Sequence, residues 1–335
     1  MSAFSQYFDD DRRAADPRVV VVGNTGWGNT IASLLSRNGH DTWLLTRSES
    51  EADALNASRT GYQCTDVAGY ALEDAGLVVW AVPSQTMRAN VEAVRGFLPE
   101  RAAHLSVSKG LEVDTALRMT EVIEDVVGGD CMEGVLALSG PNLSDEIRRG
   151  LPAASVVACS SPLLARGVQK ALGSPRFITV YSDDVVGVEL AGALKNVVAL
   201  GAGMMDGLSL GDNAKAAFIA FTWSEVISFG VAMGAREATF YGLAGVGDVV
   251  ATCVSDLSRN HRVGYEIARG KPLEEILRSM HQVAEGVHTA KAVRRLANAM
   301  GIDIPIIGAI CTVLFEGCPV AKAVARFTGE VRRHG

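Results

Sequence analysis

The sequence predicts an α/β chain in two parts, an N-terminal domain on a mostly parallel sheet followed by an all-α domain. Three observations carry this. The β-branched run Val19-Val20-Val21-Val22 passes straight into a glycine-rich turn, Gly23-Asn24-Thr25-Gly26-Trp27-Gly28, and then into a helical pattern. Short apolar strand patterns recur from there to Tyr181. After Asp183-Asp184 they stop, and long helical patterns take over. A β-branched run without polar alternation marks a strand buried on both faces, and strands alternating with helices build parallel sheets.

The elements follow in order. Val19–Val22 is the first strand. Ile31, Leu34 and Leu35 form one face of the next helix, which Asn38-Gly39 stops. Thr42–Leu45 is the second strand and closes a βαβ unit. Ala75–Val82, His104–Ser108 and Val135–Ser139 are further buried strands, running into Pro83-Ser84, Lys109-Gly110 and Gly140 to Ser144. Pro152–Ser160 and Arg176–Tyr181 read as two more that close the domain. Helices are expected over Val185–Met204, Asn213–Met233, His288–Met300 and Ile306–Phe315, with Gly and Ala at spacings that allow close packing. Asp183-Asp184 suits an N-cap. The expected division is a disordered tail at 1–16, a dinucleotide-binding domain at 17–183 and a helical substrate domain at 184–335.

Composition excludes several classes. The 335 residues carry a net charge of −7, with 48% hydrophobic and 21% charged residues, so full cores can form. No basic stripe advertises nucleic-acid binding. No run of about 18 uncharged apolar residues predicts a membrane span. The N-terminus has no apolar signal-peptide segment, so a cytoplasmic location is expected. The six cysteines form no C-x-x-C pair and have no close His partner, so no metal site is expected and they read as free core thiols.

The glycine-rich turn is the first candidate site. Glycines at Gly23, Gly26 and Gly28 let the backbone approach a pyrophosphate, and free N–H groups at the helix start bind it. Thr25 stands where the G-x-G-x-x-G pattern has its second glycine. A tight turn that binds nothing is the plain alternative. Arg47 follows the second strand, where NAD-specific sheets place Asp or Glu. Flanked by Thr46 and Ser48 it suits a 2′-phosphate, while nearby Glu49 and Glu51 weigh against that, so NADP and NAD both stay open.

Lys195 is the most informative single residue, lying in the apolar stretch Glu189-Leu190-Ala191-Gly192-Ala193-Leu194-Lys195-Asn196-Val197. Burying an ammonium is costly unless it is paired, so Lys195 is either a paired core charge or a reactive group. Lys109 sits at a strand end, where ligands bind in open α/β sheets, with an ordinary loop lysine as the alternative. Gly242 to Gly247 leads to Asp248 in an apolar setting, followed by Ser258-Arg259-Asn260. A guanidinium fork and an amide fit a phosphate, while a buried Asp–Arg pair that organises helices is the structural alternative.

Taken in order, these segments resemble bacterial NAD(P)-dependent sn-glycerol-3-phosphate dehydrogenases from about Val19 to Phe327. The matching segments are Gly26-Trp27-Gly28, Ala81-Val82-Pro83-Ser84, Ser108-Lys109-Gly110, Ser139-Gly140-Pro141-Asn142 and Glu189 to Asn196. Asp206-Gly207-Leu208 with Gly211-Asp212-Asn213, Gly242 to Asp248, Ser258-Arg259-Asn260 and Glu285-Gly286 also match. The resemblance implies a Rossmann-type domain, an NAD or NADP cofactor, and dihydroxyacetone phosphate and sn-glycerol 3-phosphate as substrate and product. The product would supply phospholipid synthesis. Lys195 matches the family's catalytic lysine, and Lys109 a lysine that meets both substrate and cofactor. Gly140, Asn142, Asp248, Ser258, Arg259 and Asn260 fall on substrate positions. Gly26, Trp27, Arg47, Ser144, Val283 and Glu285 fall on cofactor positions, as does Arg259. Departures are Thr25, Asn142, Ser144 and a shortened segment after Arg47. A 3-hydroxyacid dehydrogenase of similar plan and a non-catalytic NAD(P)-binding protein are the competing readings. The sequence leaves the oligomeric state open, with a homodimer among the options.

Overall fold

The computed structural model describes residues 17–58, 60–128, 134–255, 258–280 and 283–325, so the expected tail at 1–16 lies outside them. The chain forms two compact units. One comprises Met1–Ser108 and Met119–Val188, the other Lys109–Arg118 and Glu189–Gly335.

Unit one is a sheet with helices. Its strands are β1 (Arg18–Val22), β2 (Thr42–Leu45), β3 (Gln63–Thr65), β4 (Ala75–Trp80), β5 (Ala103–Ser106), β6 (Gly134–Ser139), β7 (Ala153–Ala158) and β8 (Phe177–Ser182). The helices between them are α1 (Gly26–Arg37), α2 (Glu49–Ala57), α3 (Ala68–Leu72), α4 (Met87–Val94), α5 (Met119–Val127), α6 (Ser144–Arg148) and α7 (Pro162–Leu172). The strand order is β3-β2-β1-β4-β5-β6-β7-β8, parallel throughout except for the β6–β7 pair. Strand order reverses between β1 and β4, the switch point at which open sheets take ligands. Val19, Val20 and Val21 of β1 and Leu77, Val78 and Val79 of β4 are fully buried, which is why these strands read as unbroken apolar runs. β3 was not expected, because three residues are too short to show a period. The other expected strands are found with ends shifted by a few residues.

Unit two is helical. Its elements are α8 (Val185–Gly207), which begins in unit one, then α9 (Asp212–Ala232), α10 (Glu237–Phe240), α11 (Asp248–Val254), α12 (Arg259–Ala268), α13 (Leu273–Ser279), α14 (Glu285–Met300) and α15 (Pro305–Glu316). The expected cap is present, with Asp184 Oδ1 accepting from Gly187 N–H at 2.9 Å. Close packing of α8 on α12 depends on glycine. A Cβ on Gly264 would fall 1.8 Å from Leu200 O, and one on Gly203 1.9 Å from His261 O.

Among the described residues two helices are long and apolar enough to cross a membrane by length and composition, although each carries charged residues. In Val185–Gly207, 89% of the most apolar window is buried inside the protein, and in Asp212–Ala232, 33%. The first is apolar all round because protein surrounds it. Cys64, Cys159, Cys253 and Cys311 are buried free thiols and Cys318 is part-buried, while Cys131 lies outside the described residues. Among the described residues no group of His, Cys, Asp or Glu could hold a metal.

Candidate active site

Residues of unit one expected to meet a cofactor gather after the carboxyl ends of parallel strands. Gly23 follows β1 with φ +117°, and Gly26, Trp27 and Gly28 form the first turn of α1. A Cβ on Gly28 would lie 2.2 Å from Gly23 O, so the turn closes as tightly as a backbone cradle requires. Thr25 is extended at φ −111°, ψ 163°, a conformation with no need for glycine. Its hydroxyl accepts from Gly28 N–H and donates to Ala81 O, both at 2.9 Å. The departure at Thr25 is therefore an N-cap that ties the turn to β4. Trp27 Nε1 is buried without a hydrogen-bond partner. A tight glycine cradle, a helix N-terminus and an orphaned donor fit a dinucleotide.

Arg47 lies beyond β2, 85% exposed at its side chain, with Nη2 3.1 Å from Glu51 Oε1. Glu51 also accepts from Asn24 Nδ2 at 3.4 Å, linking the β2 end to the turn. Gly140 directly follows β6. Asn142 is pinned by β7, its Nδ2 donating to Ala154 O at 3.4 Å and its Oδ1 accepting from Ser155 Oγ at 3.0 Å. Ser144 opens α6.

Unit two brings the charged candidates together. Asp248, 1% exposed, accepts from Lys195 Nζ through Oδ1 and from Lys109 Nζ through Oδ2, the latter at 2.7 Å. Lys195 is 8% exposed and also donates to Thr252 Oγ1 at 2.8 Å. Thr252 in turn donates to Asp248 O at 2.6 Å. One carboxylate thus serves two ammonium groups, which answers the cost of burying them. Burial pushes the Lys109 ammonium down to about 8; Asp248 pulls the other way, and Lys195 adds to the lowering. The apolar stretch therefore holds a paired charge. Its partner is Asp248, with Lys109 as third member, in place of an Asp–Arg pair.

Ser258 caps α12, accepting from His261 N–H at 3.3 Å. Asn260 is held on both sides, its Nδ2 donating to Asn196 Oδ1 at 2.8 Å and its Oδ1 accepting from Gly286 N–H at 2.9 Å. Arg259 is exposed and donates to Val283 O at 3.0 Å, so these two candidates meet. Glu285 starts α14, where a carboxylate suits the helix dipole.

Two residues of this cluster were not singled out from sequence. Thr252 stands four residues after Asp248, and that i, i+4 spacing was the available signal. Asn196 adjoins Lys195 but points to Asn260 and to Lys109 O, a link with no sequence signal.

A family model described as NAD-dependent glycerol-3-phosphate dehydrogenase N-terminus matches residues 18–165, and one described as its C-terminus matches 184–325. A glycerol-3-phosphate dehydrogenase [NAD(P)+] of Dehalococcoides mccartyi is 39% identical over 330 residues, 95% of this chain and 92% of its own. One from Corynebacterium diphtheriae is 40% identical over 329 residues, covering 94% and 99%. The crystal structure of glycerol-3-phosphate dehydrogenase from Coxiella burnetii superposes with a TM-score of 0.86 at 25% identity, covering 93% of this chain and 99% of that one.

Proposed function

Because this chain belongs to the NAD-dependent glycerol-3-phosphate dehydrogenase family, we propose that it interconverts dihydroxyacetone phosphate and sn-glycerol 3-phosphate with NAD(P)H. The observation that carries the reading is the pair of lysines on the buried carboxylate of Asp248. When bound, the reduced nicotinamide supplies a hydride to C2 of the ketone. Lys195 meets the charge that develops on the C2 oxygen and gives it a proton, so one hydride and one proton convert ketone to alcohol. Asp248 and Thr252 hold the Lys195 ammonium at a fixed point, and Lys109 adds a second positive group beside it. In the reverse direction the neutral Lys195 amine takes the proton. Gly140, Asn142, Ser258, Arg259 and Asn260 are assigned to the substrate. Gly23, Gly26, Trp27, Gly28, Arg47, Ser144, Val283 and Glu285 are assigned to the cofactor, and Lys109 and Arg259 to both. The reading places the reaction in the cytoplasm and its product in phospholipid synthesis.

The test is a spectrophotometric assay of dihydroxyacetone phosphate reduction with NADPH and with NADH. Turnover of a semialdehyde acid in its place would favour a 3-hydroxyacid dehydrogenase, and no turnover at all a cofactor-binding protein. Arg259 has one donor held by Val283 O, and a guanidinium carries others that can meet a phosphate; burial pushes its pKa down, with Glu285 opposing. Arg259→Ala should raise KM for dihydroxyacetone phosphate at least about tenfold, the loss of one charge-assisted hydrogen bond. Saturation at wild-type concentrations would remove Arg259 from the phosphate contacts. Arg47→Ala should weaken NADPH about tenfold by the same arithmetic and leave NADH nearly unchanged. An equal effect on both cofactors would dissociate Arg47 from the 2′-phosphate.

A further inference from the structure

The segment Lys109–Arg118 folds as a closed strap of unit two. An antiparallel bridge joins Leu111 to Arg118 across its base. Ala116 turns the far end at φ 61°, its N–H donating to Glu112 O at 2.8 Å.

Besides the Lys109–Asp248 bond, contacts from α8 and α14 hold the strap from outside. Asn196 Nδ2 donates to Lys109 O at 3.4 Å. Arg118 Nη1 donates to Glu189 Oε2 at 2.7 Å, with the two side chains only 15% and 6% exposed. Arg295, exposed on α14, donates to Val113 O at 3.3 Å and to Asp114 O. Glu189 and Asn196 are seven residues apart on α8. Seven residues make two turns, so both sit on one face, about 10 Å apart along the axis. The strap is therefore pinned at two heights on the helix that carries Lys195.

We propose that Glu189 and Arg118 are positioning residues, whose part-buried ion pair sets the register of the strap on α8 and so holds the Lys109 ammonium against Asp248. Removing one partner takes away the fastening at this height on α8 and lets the strap loosen there. Lys109, at the other end of the same bridged loop, moves with it. The charged groups around the strap are its own Glu112 and Asp114, Glu189 on α8, Arg295 on α14, and Asp248 and Lys195 at the lysine end.

This inference rests on the placement of Lys109 at the reacting centre, so its test reads Lys109 without turnover. The full chain, free of substrate, is amine-labelled from about pH 6 to about pH 11, bracketing the lysine range, and Lys109 is followed by mass spectrometry. In the wild-type chain Lys109 should titrate at about 8. In Glu189→Gln it should titrate about one pH unit higher, because the loosened ammonium regains water. The turnover number should fall about 10- to 100-fold, as for a misplaced catalytic group. Arg295→Ala leaves the ion pair in place and should shift Lys109 in the same direction by less. It decides the matter if Glu189→Gln does not fold. An unmoved Lys109 titration in the folded variant overturns the proposal. A wild-type chain inactive on dihydroxyacetone phosphate overturns the dehydrogenase reading and leaves the labelling result to stand or fall separately.

Discussion

Lys195→Ala should lower the turnover number for dihydroxyacetone phosphate reduction about 10²- to 10⁴-fold, the usual contribution of a positioned general acid. The cofactor should bind nearly as before, because its assigned residues include none that Lys195 bonds. The fold should survive. Asp248 keeps Lys109 as an ion-pair partner at 2.7 Å and the Thr252 hydroxyl at 3.3 Å from Oδ1, so no bare carboxylate is left inside. The vacated volume lies beside Asp248 and Thr252, and a small primary ammonium in the assay should restore part of the rate by occupying it. The measurement pairs steady-state kinetics with a fluorescence titration of NADPH. Wild-type turnover in the variant would refute a chemical role for Lys195. Equal losses in turnover and cofactor affinity would instead mark a collapsed site.

How far this could be read in advance differs between the units for a physical reason. In unit one the information is local. β1, the turn from Gly23 to Gly28 and α1 are contiguous, so a buried strand, a cradle and a helix start stand in one stretch of chain. The one puzzling residue there, Thr25, is explained only by its partners, since nothing local shows that Ala81 O waits for its hydroxyl. In unit two the cluster is assembled from positions 109, 195, 248 and 252. Lys195 could be singled out because a charge in an apolar helix demands an explanation; its partner, Asp248, carries no local signal, 53 residues along the chain. Asp248 was expected to face Arg259 as one option; it faces two lysines, and Arg259 turns to Val283 O. The strap was legible least of all. Lys109 follows a strand and reads as part of the sheet domain, yet the bonds that group Lys109–Arg118 with the helices come from Asp248, Glu189 and Arg295, 71 to 182 residues along the chain.

Asp248→Asn should cost the most stability of any single change at this site, about 3–5 kcal/mol, because it removes the buried carboxylate that both Lys195 and Lys109 bond. A smaller loss, of about 0.3–1 kcal/mol, comes from taking a negative charge out of the first turn of α11. The pH dependence identifies the cause. Burial already holds the folded value of Lys109 at about 8, below the unfolded value of about 10.4. Between those two pH values the unfolded chain carries a proton on this lysine that the folded chain has given up, so stability rises with pH across the window. Asp248 is the group that holds the folded value up, and without it the value falls further and the window widens toward lower pH. The variant should therefore be weakest near neutrality and regain stability by about pH 9.5, inside the widened window, where Lys109 folds as the neutral amine. Urea denaturation of both proteins at the two pH values gives the comparison. A loss that stays the same at both would mean that the amide merely packs badly, and that repulsion between Lys109 and Lys195 is not what Asp248 relieves. Turnover should fall at neutral pH in either case, since an amide offers one acceptor oxygen where the carboxylate offered two. Recovery of stability without recovery of rate at high pH would separate the folding role of Asp248 from its orienting one.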